Sequence, residues 1–345
     1  MSALFLGFLP LLNFVLSDET LNKSQLYSVD LLEGKLNWFV FSKYHISMRE
    51  SQVVIGKNKF MFLGNKYDQV IDKSIGKFQY DQVEIVEWVQ KLKKLQQWYE
   101  SQNIKFVLII APNKHSVYDE FLPISREKNA HIITDDISKL AYKNNIHMLD
   151  LRKKFHNNPN YLYHFTDTHW NPLGASIGFT ETISYLNKSY NLQLQIPKFE
   201  YQQTYRGGGD LANFLKIEKI LPKDYDNDYS IKIYNDNNIC VGNIRLDTAK
   251  LEKCAYSKNT DISILEQPKY IYNPQGLNKD KILLLCDSFS VANSTLYNKA
   301  FITIYKIHYN HLYGKKLKKF VLENKPKIVI YQIVERALYN QLIVL

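Results

Sequence analysis

Four predominantly apolar runs constrain this chain more than any other feature. Phe106-Val-Leu-Ile-Ile110, Lys281-Ile-Leu-Leu-Leu-Cys286, Phe301–Ile307 and Lys327–Val334 do not alternate apolar with polar residues. Such runs are expected of strands buried on both faces, the situation in a mostly parallel sheet. Between them lie helical patterns. From Ile85 to Tyr99 the apolar residues fall at 85, 88, 89, 92, 95 and 99, one stripe of an amphipathic helix. Asp135–Tyr142 reads as a helix, Ile146–Leu151 as a strand, and Pro172 suits the first turn of a helix reaching about Leu186. After Lys281, strands alternate with helices at Val291–Tyr297 and Leu317–Asn324. Strands and helices in this order indicate an α/β sheet with helices on both faces.

Two stretches depart from the rhythm. Val53–Leu63 reads as two short strands about a turn at Gly56–Lys59, after a polar, helical lead-in over 17–50. Residues 188–280 are polar, contain Gly207-Gly208-Gly209 and the run Asp224–Asn238, and read as an insertion of loops and short strands. No internal repeat or independent second domain is evident. Residues 1–16 are apolar but too short to span a bilayer comfortably, with no basic residue before the run. An export or anchor element and a buried apolar arm are the two readings.

The net charge of +10 suits an anionic partner such as a uronate-rich glycan or lipid head groups, although compositional drift in a Lys-rich chain gives the same total. No stretch joins clustered basic residues to a nucleic-acid motif, so nucleic acid is set aside. Cys240 and Cys254 could close a small loop in an oxidising compartment; Cys286, inside an apolar strand, reads as a buried thiol.

Two motifs carry chemistry. Asp287-Ser288-Phe289-Ser290 ends an apolar strand, where a serine can stand as an exposed nucleophile with helix N–H groups near a developing oxyanion. A cap at a strand end is the plainer reading of Asp-Ser. Asp167-Thr168-His169-Trp170 offers a general base, His169, and a carboxylate, Asp167, to fix its tautomer. Together Ser288, His169 and Asp167 form a candidate Ser-His-Asp site for hydrolysis or acyl transfer. His164, Asp167 and His169 could face one metal ion, and His308 with His311 could add ligands. No zincin-type helix motif exists and the loops do not favour convergence, so neither metal nor cofactor is expected.

In joint order, several motifs resemble the alginate O-acetyltransferase family of the AlgJ/AlgX type. They are Val54-Ile-Gly-Lys57, Phe60-Met-Phe-Leu-Gly64, Ala111–Tyr118 with Leu122-Pro123, and Asp167–Trp170 with Pro172 and Gly174-Ala175. Gly209-Asp-Leu211, Asp287–Ser290 and Val334-Glu-Arg336 complete the set. The resemblance implies an SGNH hydrolase-like, three-layer α/β/α domain over 17–345 with circularly permuted motif order. It also implies Ser288 as acetyl-accepting nucleophile, His169 as base and Asp167 as its orienter. The implied protein is a periplasmic enzyme, peripheral to the inner membrane or anchored there by its N-terminus. It would take acetyl groups from a membrane-bound O-acyltransferase and pass them to a polysaccharide. The chain ends without room for the carbohydrate-binding domain of the AlgX branch and looks closer to AlgJ. One departure is Cys286, where the family usually has Gly, with a side chain that could crowd the turn.

The permuted order implied by the resemblance puts His308-Tyr309 and Glu335-Arg336 where such domains carry oxyanion-hole residues. Tyr309 and Arg336 therefore become candidates for the oxyanion or an anionic substrate, with an ion pair as the plainer role of Arg336. Arg206, beside the triple glycine, is a further candidate for sugar carboxylates or hydroxyls. Two other activities stay open: a carbohydrate O-acetyl esterase with the same triad, and a non-catalytic assembly subunit with a vestigial one.

Overall fold

A computed structural model describes residues 2–16, 26–126, 130–234, 238–258 and 267–344, with side chains from Phe8 onward in the first segment. A short antiparallel hairpin, β1 (Val53–Ile55) and β2 (Met61–Leu63), precedes the main sheet. The remaining strands are β3 (Lys105–Ala111), β4 (Met148–Asp150), β5 (Phe199–Arg206), β6 (Asp226–Ile233), β7 (Ile239–Arg245), β8 (Lys250–Leu251) and β9 (Ala255–Ser257). They are followed by β10 (Lys269–Tyr272), β11 (Ile282–Cys286), β12 (Thr303–His308) and β13 (Ile328–Val334). Among the described residues nine strands join in one sheet, ordered β4-β3-β13-β11-β12-β10-β7-β8, with β9 also on β7. The first five are mutually parallel; β10 and the strands beyond it are antiparallel.

The apolar runs become the central parallel strands because their residues are claimed by two cores. On β3, Phe106, Leu108 and Ile110 face a core completed by the helices Gln82–Ser101, Ile133–Lys143 and Gly314–Asn324. Val107, Ile109 and Ala111 face the opposite core, completed by Pro172–Tyr190 and Ser294–Ala300. β11 and β13 divide their side chains in the same way. The result is a three-layer α/β/α domain. With each large apolar side chain contributing roughly 1.5–3 kcal/mol on burial, the two cores fix the register of the strands and the place where each ends.

Element boundaries shift modestly. The strand expected over 146–151 contracts to β4, a half-buried strand at the sheet edge. The helix expected over 291–297 forms later, at Ser294–Ala300, because a 3-10 turn occupies Ser288–Ser290. Of the polar run Asp224–Asn238, residues 226–233 form β6, paired along its whole length with β5. The lead-in is the helix Asp30–Tyr44, with residues 17–25 outside the described set.

The apolar N-terminus is a helix, Ser2–Leu16. It buries Leu9 and Asn13 and leaves Phe8, Leu11, Phe14 and Val15 exposed. Among the described residues no helix is long and apolar enough to cross a membrane. Cys240 and Cys254 are disulfide-bonded. Cys286 is a free, buried thiol that burial pushes up to about 12.

Candidate active site

Parallel strands deliver their carboxyl ends to one side of the sheet, where clefts in such folds form. β11 ends at Cys286, and the next residue, Asp287, is wholly buried. Its carboxylate accepts from the Phe289 N–H (3.0 Å) and from the Val334 N–H at the end of β13 (2.7 Å). One side chain thus reverses the chain into the 3-10 turn and ties that turn to the neighbouring strand. Asp287 is the cap, which leaves the Ser288 hydroxyl unspent. Beneath the turn, the Lys306 ammonium donates to the Ser290 carbonyl (3.0 Å). Cys286 packs in the core below and takes no part in lining the cleft above.

The Asp-x-His segment has no regular secondary structure and is held by side chains from elsewhere. The Asp226 carboxylate, at the start of β6, accepts from the N–H groups of Phe165 and Thr166 and from the Thr166 hydroxyl. The buried Lys114 ammonium donates to the carbonyls of Met61 (2.9 Å) and Phe165 (3.2 Å). Desolvation lowers its pKa to about 8, against the opposing pull of Asp226, Asp167 and Asp210. Gly209 lies so close that a Cβ there would sit 2.5 Å from the Asp167 Cβ, a contact no other residue could make unchanged. Asn171 then caps the next helix through the Gly174 N–H (3.0 Å), with Pro172 in its first turn.

A tryptophan joins the two motifs. The Trp170 indole N–H donates to the Phe289 carbonyl (2.8 Å), and the Phe289 ring packs on the rings of His169 and Trp170. The outcome is one hydrogen-bonded line. Ser288 Oγ lies 2.9 Å from His169 Nε2, and His169 Nδ1 lies 2.7 Å from Asp167 Oδ1. Burial alone would lower the imidazole pKa, but the Asp167 hydrogen bond and the charges of Asp167 and Asp210 outweigh it and raise it above the ordinary value. Burial likewise opposes ionisation of Asp167, yet the bond from His169 and the nearby His169 and His164 hold its carboxyl well below the usual range. Such a site can take a proton from a serine hydroxyl and keep the resulting imidazolium in place.

The line opens into a cleft of about 630 Å³ lined by His164, Asp167, His169, Arg206, Ser288 and Phe289, and by an apolar wall of Val291, Ala292 and Leu296. Tyr229 and Ile231 of β6 form the facing wall. Arg206 is in this lining, its guanidinium 3.5 Å from Asp167 Oδ2 and 3.4 Å from His164 Nε2. Arg336 is outside this lining, its guanidinium over the Phe289 ring at 5.7 Å from the centroid, 3.5 Å from Asn113 Oδ1 and 3.7 Å from Asp68 Oδ2. Its neighbour Glu335 instead accepts from the Asn113 N–H and faces Arg152. Tyr309 is buried beside His308, outside the cleft lining, where its hydroxyl feels the charges of Asp287 and Arg336. His308 lies beside His311, the two rings tilted with centroids 5.6 Å apart, rather than joining His164 and His169, and His164 Nδ1 is spent on the Asn227 carbonyl.

Sequence reasoning gave no role to Asp226, Lys114 or Asp210. Asp226 lay in a run that read as loops and short strands, and Lys114 stood inside the Ala111–Tyr118 motif, which does not say what its ammonium would hold. Asp210 stood in the Gly209-Asp-Leu211 motif after the triple glycine, and the need for close backbone approach there was a further signal.

Residues 53–234 match the family model described as the SGNH hydrolase-like domain of acetyltransferase AlgX, a span that includes Asp167 and His169 and stops short of Ser288. Curated proteins give no significant sequence match. The fold is similar to that of Bacillus cereus PatB1 (15% identity, TM-score 0.61, covering 83% of this chain and 97% of that one). It is also similar to a DHHW family protein from Eubacterium siraeum (14% identity, TM-score 0.55, 83% and 90%). The O-acetyltransferase domain of Pseudomonas putida AlgJ is a third such structure (17% identity, TM-score 0.52, 84% and 92%).

Proposed function

Since the chain belongs to the family of SGNH hydrolase-like acetyltransferase domains typified by AlgX, we propose that it transfers acetyl groups through Ser288 onto hydroxyls of a cell-envelope or extracellular polysaccharide. The observation that carries this reading is the line Ser288–His169–Asp167 at 2.9 and 2.7 Å, opening into a cleft large enough for a sugar unit. Ser288 Oγ attacks the acetyl carbonyl carbon of a donor ester while its proton passes to His169 Nε2. The tetrahedral intermediate collapses, and His169 returns the proton to the departing donor oxygen. A sugar hydroxyl then attacks acyl-Ser288, giving its proton to His169, and the regenerated serine takes that proton back. The Ser288 N–H, at the opening of its 3-10 turn, is a backbone donor for the oxyanion, and Arg336 adds positive potential near the turn.

Arg206 and the net charge of +10 favour an acidic acceptor. Exposed Tyr201 and Tyr205 share one face of β5, and the Tyr201 ring contacts that of Tyr229 in the cleft wall, a surface suited to sugar rings. The proposed setting is the periplasm, beside a membrane-bound O-acyltransferase that supplies the acetyl group. The Cys240–Cys254 disulfide is of a kind that persists in oxidising compartments. The exposed apolar face of the helix Ser2–Leu16 suits a membrane-proximal position.

The test is incubation with an acetyl-ester donor, with and without acidic and neutral glycans. Intact mass should show acetylation of the wild type, none of Ser288→Ala, and acetylated glycan as product. Release of acetate alone, whatever the glycan, would make the protein an esterase. A folded protein inert to donor would make it a non-catalytic subunit.

A further inference from the structure

The Nδ1 edge of His169 meets two carboxylates. Asp167 Oδ1 is 2.7 Å away, and Asp210 Oδ2, arriving from the segment after the triple glycine, is 3.7 Å away. Asp210 also grips the residue between the two motif members. Its Oδ1 accepts from the Thr168 N–H (2.7 Å) and its Oδ2 from the Thr168 hydroxyl, while its own N–H donates to Asp167 Oδ2 (3.3 Å). The close approach of Gly209 to Asp167 makes this geometry sterically open.

We propose that Asp210 is a positioning residue of the transfer site: it clamps Thr168 and, with Asp167, brackets the imidazole so that two carboxylates stabilise its protonated form. This rests on reading Ser288, His169 and Asp167 as the transfer machinery. When His169 takes the serine proton, Asp167 meets the new charge through a direct bond and Asp210 meets it through space, across a partly desolvated gap. The division of labour has a reason. Adjacent carboxylates repel, and the one with the shorter contact to His169 keeps its charge more firmly. Accordingly Asp167 is held well below the usual carboxylate range, whereas burial and then the Asp167 charge push Asp210 up. Other charges face the same group. Arg336 and the Asp287 carboxyl act on His169 from the side of the serine turn, Arg206 and His164 act on Asp167, and the Lys114 ammonium faces both carboxylates.

The experiment is an NMR titration of the His169 imidazole in the full chain, paired with the pH profile of kcat/KM. Asp210→Asn should lower the titration midpoint by about one unit, and the acid limb of the profile should move with it. Thr168→Val cuts the hydroxyl bond to Asp210 and the 3.3 Å contact of that hydroxyl with His169 Nδ1, but keeps the Asp210 carboxyl. It should lower kcat/KM and move the midpoint less than Asp210→Asn does. If the Asn variant does not fold, Asp210→Ser, neutral and smaller, repeats the measurement. An unmoved midpoint and limb in the neutral variant, whatever its rate, would show that Asp210 is scaffold only. Because the titration needs no turnover, it judges Asp210 even if Ser288→Ala retains activity, a result that would instead sink the reading of the site.

Discussion

The turn that carries Ser288 and the loop that carries His169 end 2.9 Å apart, yet different kinds of bond hold them. The turn grows from β11, whose five residues are buried and laddered on both sides, and it needs one carboxylate, Asp287, to set its direction. The loop has no ladder. Its backbone is pinned by Asp226, Asp210 and Lys114, which come from three separate parts of the chain. A serine on a sheet is placed by hydrophobic burial, which is tolerant and local in sequence. A histidine on a loop is placed by polar bonds inside a low-dielectric interior, where each partner is specific and each loss is felt.

This contrast can be tested from its largest consequence downwards. Ser288→Ala removes the nucleophile at the end of an intact strand, so transfer should fall by about 10⁴-fold or more. Thermal stability should stay within about 0.5 kcal/mol of the wild type, as a melting curve would register. Asp167→Asn retains an acceptor for the loop N–H but loses the charge, and turnover should drop by roughly 10³–10⁴-fold from an ill-fixed tautomer.

Asp226→Ala strands two buried N–H groups and a hydroxyl in the loop. It should destabilise by about 2–4 kcal/mol and lower activity together with it, measurable by denaturant titration. Asp287→Ala strands two amides on the sheet-borne turn and should cost about 1–3 kcal/mol. If hydrogen exchange found the amides of 165–169 slower to open than those of 288–291, the proposed contrast between loop and turn would be reversed.

The smallest expected effect is in pH. His169 works as a base only when neutral, and its pKa is raised. Activity should therefore be lost as pH falls through a midpoint above the ordinary imidazole value of 6.5. A pH profile with its acid limb below that value would contradict the influence of the paired carboxylates.

Legibility in the sequence followed the same division. The four apolar runs announced the central strands, because burial on both faces leaves a pattern within each run. The Asp167–His169 and Asp287–Ser288 motifs were visible as short local spacings. The pairing of β5 with β6 was not, since neither strand carries an apolar run and the pairing depends on a partner some twenty residues along the chain. Nor was the different fate of the two arginines. Arg206 is drawn into the cleft by Asp167 and His164, whereas Arg336 is held over the Phe289 ring, outside the cleft lining, by Asn113 and Asp68.

The sequence by itself determined the layer architecture, the ends of the central strands and the residue types available for proton transfer, for these depend on periodicity and near neighbours. Only the tertiary structure decided that an indole N–H would lock the two motifs together, that Asp226, Asp210 and Lys114 would hold the loop, and which arginine would face the cleft. Those outcomes rest on polar contacts between residues far apart in the chain. Such contacts become strong only once folding has removed water from between them, so no local pattern records them.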